Sequence, residues 1–208
     1  GRQVLAVVLE KLLAARPKAP AADQTPSQRT PIDRPGSSID RDDDFGTISF
    51  SSELVFEKIP GAAAFHCSTV AQAPNGDLLC LWYGGSYESA DDQVLFLSRR
   101  PPGERRWSRP EILIADSLQP PGNGLIFTDG KGRVWVVWCR METPLPIPRG
   151  GGWDRCRLMF RTSNDNGVTW TPDKPMLADD ELVRRQAMWF VPRNPPIVTQ
   201  KGTTILGL

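Results

Sequence analysis

The sequence predicts an all-β chain made of repeated four-stranded antiparallel units, the blades of a β-propeller. Three observations predict it. From residue 47 onward, short apolar stretches alternate with turn residues, and helical periodicity is absent. A hairpin glycine recurs at Gly76, Gly132 and Gly202, giving repeat lengths of 56 and 70 residues by subtraction. A turn signature, Ser163-Asn164-Asp165-Asn166-Gly167-Val168-Thr169-Trp170, joins the third and fourth strands of the second unit. A sandwich of similar hairpins is the competing architecture.

The strands follow in order. Residues 51–59 (SSELVFEKI) read as a strand ahead of the first unit, placed to close the ring against a last blade. The first unit takes 68–73, the turn Pro74-Asn75-Gly76-Asp77, then 78–85, 93–100 and 106–115. The second takes 124–129, the turn Gly130-Lys131-Gly132, then 133–141, 157–163 and 169–177. PPIVTQ, Lys201-Gly202 and TTILGL begin a third. Residues 47–208 are thus about two and a half blades. A ring needs roughly four to eight, so the remaining blades are expected outside this chain.

Ahead of the blades, residues 1–20 read as a short amphipathic helix, and 16–46 as a disordered arm rich in Pro, Asp, Arg, Ser and Gln. Glu10 and Lys11 interrupt the apolar start and argue against an intact signal peptide. The acidic cluster Asp40, Asp42, Asp43 and Asp44 reads as a solvated charge run.

Composition narrows the function. With 25 Lys+Arg against 24 Asp+Glu, the chain has no electrostatic reason to bind nucleic acid or an anionic membrane. No run of about 18 apolar residues is present, so no segment spans a bilayer and the chain reads as soluble, its compartment open. The cysteines Cys67, Cys80, Cys139 and Cys156 form no C-x-x-C pair, and His66 is the single histidine. No metal site or cofactor is expected. A Cys139–Cys156 disulfide depends on whether their strands are neighbours.

In the turn signature, Ser163 and Asp165 have the short oxygens that bond turn amides, Gly167 supplies a positive φ, and Trp170 packs into the blade. This S-x-D-x-G-x-T-W pattern resembles the Asp-box of sialidase-type propellers, where it is structural and lies away from the ligand face. Ser98-Arg99-Arg100 with Gly103 and Trp107-Ser108 resembles a degenerate copy. A longer likeness runs through His66-Cys67-Ser68-Thr69, Pro74-Asn75-Gly76-Asp77-Leu78-Leu79, Trp82 through Asp92, Leu97 through Arg100, and Arg193-Asn194-Pro195-Pro196-Ile197. These stretches resemble BNR-repeat proteins of the sialidase superfamily. The resemblance implies a propeller that is six-bladed when complete, and a glycoside hydrolase acting on a terminal, acidic sugar of a glycan. Where sialidases carry Arg-Ile-Pro, this chain has His66-Cys67-Ser68, which favours a sugar other than sialic acid.

Propeller ligands sit where inner-strand starts meet the loops after the second strands. His66, Glu88 and Asp92 are the catalytic candidates, the carboxylates and imidazole being able to trade protons across a glycosidic bond. Arg193, Asn194, Asn123, Tyr87 and Asp91 are the substrate-binding candidates, with Arg193 as a clamp on a sugar carboxylate. Each has a plainer reading: a hydrogen-bonded strand residue for His66, exposed loop acids for Glu88 and Asp92, a salt-bridge partner for Arg193. The competing functions are a non-catalytic carbohydrate-binding propeller and a polysaccharide lyase on uronic-acid glycans.

Overall fold

The computed structural model describes residues 5–8, 51–177, 191–200 and 203–207. The chain divides into two compact units, the smaller spanning Leu5–Glu53 and the larger holding Leu54–Leu208. In the smaller, β1 (Leu5–Val8) pairs with β2 (Ser51–Leu54). The helix expected over residues 1–20 is therefore a strand at Leu5–Val8, because Val7 and Val8 are β-branched and favour extended chain once a partner strand offers hydrogen bonds. The strand expected over 51–59 stops at Leu54 and pairs with β1. The arm and its Asp cluster lie outside the described residues.

The larger unit carries the blades. The first is an antiparallel sheet in the order β3 (Ala64–Gln72), β4 (Leu78–Gly85), β5 (Val94–Arg100), β6 (Glu111–Ile114). The second repeats the order with β7 (Pro121–Thr128), β8 (Val134–Met141), β9 (Cys156–Ser163) and β10 (Lys174–Pro175). A hairpin of β11 (Ile197–Val198) and β12 (Thr204–Ile205) opens the third. A 3-10 turn at Trp153–Arg155 is the one helical element among the described residues. The outer strands β6 and β10 are shorter than expected, since Pro110 and Pro172 lack the N–H that would extend pairing. The inner strands start earlier than expected, at Ala64 and Pro121, so His66 lies within β3 and not at its start.

The first hairpin closes with the same bond in all three repeats: Ala73 N donates to Asp77 O at 2.8 Å, Asp129 N to Arg133 O at 2.9 Å, and Thr199 N to Thr203 O at 2.9 Å. Gly76 and Gly132 take φ of 90° and 77° there. This conformation is why glycine recurs at that point.

Alternation along the strands puts Leu79, Leu81, Tyr83, Leu95 and Leu97 of the first blade against Ile126, Val134, Val136 and Trp138 of the second in one buried cluster. Burying each such side chain contributes about 2 kcal/mol. The inner strands are also bonded directly: Ile126 N donates to Thr69 Oγ1 at 3.1 Å, and Thr128 Oγ1 to Gln72 O at 2.7 Å. Phe56, just after β2, stacks on Trp82 at 5.1 Å on blade one.

The Asp-box forms as its residues dictate. Ser163 Oγ donates to Asp165 Oδ1 (2.6 Å) and accepts Gly167 N (2.8 Å), while Asp165 accepts Thr169 N (2.8 Å) and Thr169 Oγ1 (2.5 Å). Those bonds from Ser163 and Thr169 hold the Asp165 carboxyl well below the usual range. The box also reaches blade one: Asn75 N donates to Asn166 Oδ1 at 3.2 Å, and Arg99, ion-paired with Asp77, donates to Asn166 O at 2.8 Å. Trp170 packs against the inter-blade cluster. Asp165→Ala should therefore lower the melting temperature by several degrees, with no change in the far-ultraviolet spectrum below the transition. An unchanged melting temperature would count against it.

Asp129 gives a pH test. Burial pulls its pKa upward, but hydrogen bonds from Trp135, Arg133 and Lys131 outweigh burial and lower it from 3.8 to about 2. A depressed folded pKa means the stabilisation is complete above about pH 4 and is lost as pH falls through about 2. Discounted for solvent screening, it amounts to about 1 kcal/mol. Denaturant titrations at pH 5 and pH 2 should show a smaller loss of stability on acidification for Asp129→Asn than for the parent.

Candidate functional site

The Asp-box and the β3–β4 turn touch at one end of the blades, so the β4–β5 loop lies at the other, with the ends of β3 and β7 that pair with it. There, both inner strands break register. The ladder between β3 and β4 shifts between His66 and Thr69, and that between β7 and β8 between Gly122 and Leu125. Inside these bulges Cys67 has φ 50° and Asn123 φ 42°, the left-handed region that non-glycine residues avoid. Such strain persists where surrounding structure over-determines it, and it gathers at functional sites. The spacings that superimpose Gly76, Gly132 and Gly202 carry Cys67 onto Asn123 and Asn123 onto Arg193. One position in the repeat thus presents a thiol, an amide and a guanidinium.

Around Cys67 the structure gathers a small polar cluster. His66 and Tyr83 are directly paired across β3 and β4, their rings stacked at 5.3 Å. Tyr83 is 1% exposed and hydrogen-bonded to Cys67. Burial first, then Cys67 and Glu88, push its phenol far above the usual range, so it stays neutral and acts as a hydrogen-bonding group. Cys67 is exposed as a residue, but partial burial of its sulfur raises its pKa, opposed by the Tyr83 hydrogen bond and the Arg193 charge and reinforced by Glu88. Cys67 therefore feels both Glu88 and Arg193, the two charges expected to handle an acidic sugar.

The remaining expected residues serve the loops. Both Asp92 carboxylate oxygens are engaged by Ser86, Oδ1 by its N–H at 3.0 Å and Oδ2 by its hydroxyl at 2.5 Å. Asp91 Oδ1 accepts Ile147 N at 3.4 Å, tying the β4–β5 loop to the loop after β8. The Tyr87 ring carries the Arg149 guanidinium at 5.0 Å. Asn123 is buried in its bulge, while Arg193 and Asn194 are exposed. His66 thus stacks on Tyr83, Glu88 and Arg193 act on Cys67 as charges, and Asp92 is turned to its own loop.

Sequence reasoning missed Cys67, Tyr83, Gln93 and Trp153. Gln93, 1% exposed, accepts Ser89 N through Oε1 at 2.9 Å and donates to Pro121 O through Nε2 at 2.8 Å, locking the loop that carries Glu88 onto β7. Ser89 is itself fully buried at φ 68°, and its hydroxyl has no partner among the described residues. Trp153 lies 5.9 Å from Tyr83, ring to ring, and fills the space above Gly122. Cys67 was legible through the repeat spacing, which leads from Arg193 and Asn123 back to it.

The described residues hold no group of three or more His, Cys, Asp or Glu fit to bind a metal, and no helix long and apolar enough to cross a membrane. The four cysteines are free.

Fold and repeat define a protein built of β-propeller blades. Residues 76–208 match the model of the BNR repeat-like domain, and the chain belongs to that family. Among solved structures it is similar to the Hadza microbial sialidase Hz136, with a TM-score of 0.54 and 15% identity over 70% of this chain and 32% of that one. It is also similar to a protein of unknown function from Dyadobacter fermentans DSM 18053, with a TM-score of 0.47 and 13% identity over 69% of this chain and 50% of that one. The chain spans about a third of the length of the sialidase it matches. No curated protein matches.

Replacing Gln93 with Ala leaves the Ser89 amide and the Pro121 carbonyl without partners in a buried place. The expected cost is about 1–3 kcal/mol by denaturant titration, with faster hydrogen exchange at the Ser89 amide. Slow exchange at Ser89 in the variant would refute the lock.

Proposed function

We propose that the bulge end of the blades is the sugar-binding face of a sialidase-superfamily glycosidase acting on a terminal acidic sugar. The observation that carries this reading is the strained bulge position of Cys67 and Asn123, to which Arg193 corresponds by repeat spacing, with Cys67 under the charges of both Arg193 and Glu88. Arg193 pairs with the sugar carboxylate, a planar fork meeting a planar anion. Asn123 and Asn194 bond hydroxyls. Glu88 supplies the proton to the glycosidic oxygen, with His66 beside Tyr83 as its partner in proton transfer. Asp92 shapes the loop through Ser86 and Tyr87 packs it through Arg149.

Binding without turnover is the second reading. The observation favouring it is that Asp92 spends both oxygens on Ser86, leaving fewer carboxylates for chemistry. Saturation-transfer NMR with N-acetylneuraminate, glucuronate, galacturonate and their neutral counterparts tests the sugar class, and fluorogenic glycosides of the same sugars test turnover. Acidic sugars should bind and neutral ones should not, with Arg193→Ala weakening binding tenfold to a hundredfold, as expected for loss of a charge-assisted pair. Glu88→Gln should abolish hydrolysis while sparing binding. Binding with no hydrolysis by the parent supports the second reading, equal binding of neutral sugars defeats the acidic-sugar reading, and no binding of any sugar defeats both.

A further inference from the structure

A turn in the loop after β8 is fastened to the loop that carries Glu88. In Pro148-Arg149-Gly150-Gly151, Gly151 N donates to Pro148 O at 2.7 Å and Gly150 takes φ 75°, the conformation glycine supplies at the third place of a type II turn. Arg149 is therefore at the tip. Three contacts hold this tip against blade one: Gly150 N donates to Glu88 O at 3.2 Å, Ile147 N donates to Asp91 Oδ1 at 3.4 Å, and the Arg149 guanidinium lies over the Tyr87 ring at 5.0 Å. Ile147 is buried with Cys139, Met141 and Cys156, which anchors the turn in its own blade as well. Arg149 is exposed and has no ion-pair partner among the described residues. The aspartates of the facing loop are occupied elsewhere, Asp92 by Ser86 and Asp91 by the Ile147 amide.

A guanidinium lying over an aromatic face keeps its N–H edges free to meet an anion as a planar fork. Held in place beforehand, it gives up little conformational freedom when the anion arrives. We propose, on the reading of the bulge end as the sugar-binding face, that Arg149 is a second anion-binding residue there, taking a carboxylate or sulfate on the sugar next to the terminal one. Blade geometry sets that order. Arg193 corresponds by repeat spacing to the bulges of the inner strands, which line the channel, whereas Arg149 belongs to a loop between second and third strands, farther from the axis. With the terminal sugar held at Arg193 and Glu88 protonating the glycosidic oxygen, the leaving sugar extends outward past Glu88, whose carbonyl is bonded to the residue after Arg149. Tyr87 is the positioning residue. The substrate class narrows to acidic oligosaccharides charged on two successive sugars, an oligouronate or a sulfated uronate disaccharide.

The test is isothermal titration of the chain with galacturonate, digalacturonate, and glucuronyl-N-acetylgalactosamine with and without a sulfate on the hexosamine. Digalacturonate should bind about tenfold more tightly than galacturonate, or the sulfated disaccharide about tenfold more tightly than its unsulfated counterpart, and Arg149→Ala should bring that ratio close to one. A gain only in the first pair identifies a carboxylate as the ligand, and a gain only in the second identifies a sulfate. No gain in either pair would overturn the proposal. So would an Arg149→Ala chain that keeps the parent's ratio, or one that weakens galacturonate and digalacturonate equally, since Arg149 would then serve the terminal sugar. Arg193→Ala separates this inference from the reading beneath it: if galacturonate binding survives that change while the Arg149-dependent ratio persists, the role given to Arg193 falls and the anion seat at Arg149 stands. Should Arg149→Ala fail to fold, Arg149→Gln, uncharged and of similar reach, decides the matter by the same ratio.

Discussion

On the inner strand of the second blade, Gly124 sits directly against blade one and Gly122 directly against Trp153. A Cβ on Gly124 would lie 2.8 Å from Leu81 Cδ2 and 2.9 Å from Leu95 Cδ2, and one on Gly122 would lie 2.7 Å from Trp153 Cη2. Contacts that short do not occur, so a side chain at Gly124 would have to displace Leu81 and Leu95 of blade one, and one at Gly122 would have to displace Trp153. Much else depends on this approach. It lets the side chains of β4 and β5 interlock with those of β8, and it brings Pro121 O within reach of Gln93. It also holds Trp153 against Tyr83. The bulge at Asn123 lies between these glycines, so the tightest packing and the strained backbone occupy the same three residues.

The two ends of the blades solve different problems with the same repeat. At the Asp-box end the chain must reverse direction, and the polar groups of Ser163, Asp165 and Thr169 bond one another and the turn amides. Satisfied polar networks of this kind stiffen a turn and leave little capacity for a ligand. At the bulge end backbone strain is kept at Cys67, Ser89 and Asn123, and the Ser89 hydroxyl is left without a partner among the described residues. Strain and unspent hydrogen-bonding capacity make that end suited to binding. A propeller of this kind can carry many activities, so the functional argument rests on these residues and not on the fold.

Charge at the site is arranged locally, within a chain whose net charge is +1. Tyr83 stays neutral because it is buried beside Cys67 and Glu88, and it contributes a dipole and not a charge. Cys139, buried on the next blade, also acts electrostatically on Tyr83.

The sequence by itself determined the strand order, the glycine turns, the Asp-box and the repeat lengths. These are local properties: side-chain alternation, a positive φ that glycine meets, and short oxygens spaced to bond nearby amides. The strands 78–85 and 133–141 were legible almost to the residue, since β4 covers Leu78–Gly85 and β8 Val134–Met141. Where partners decide, local reading failed. Leu5–Val8 reads as a helix turn until β2 supplies its hydrogen bonds, and Asp92 reads as a free acid until the loop folds Ser86 onto it. The stacking of His66 on Tyr83 and the locking of the β4–β5 loop onto β7 through Gln93 were decided by the tertiary structure alone. Strand register, the two bulges and the glycine-limited distance between blades choose those neighbours, and none of these is carried by any single stretch of residues.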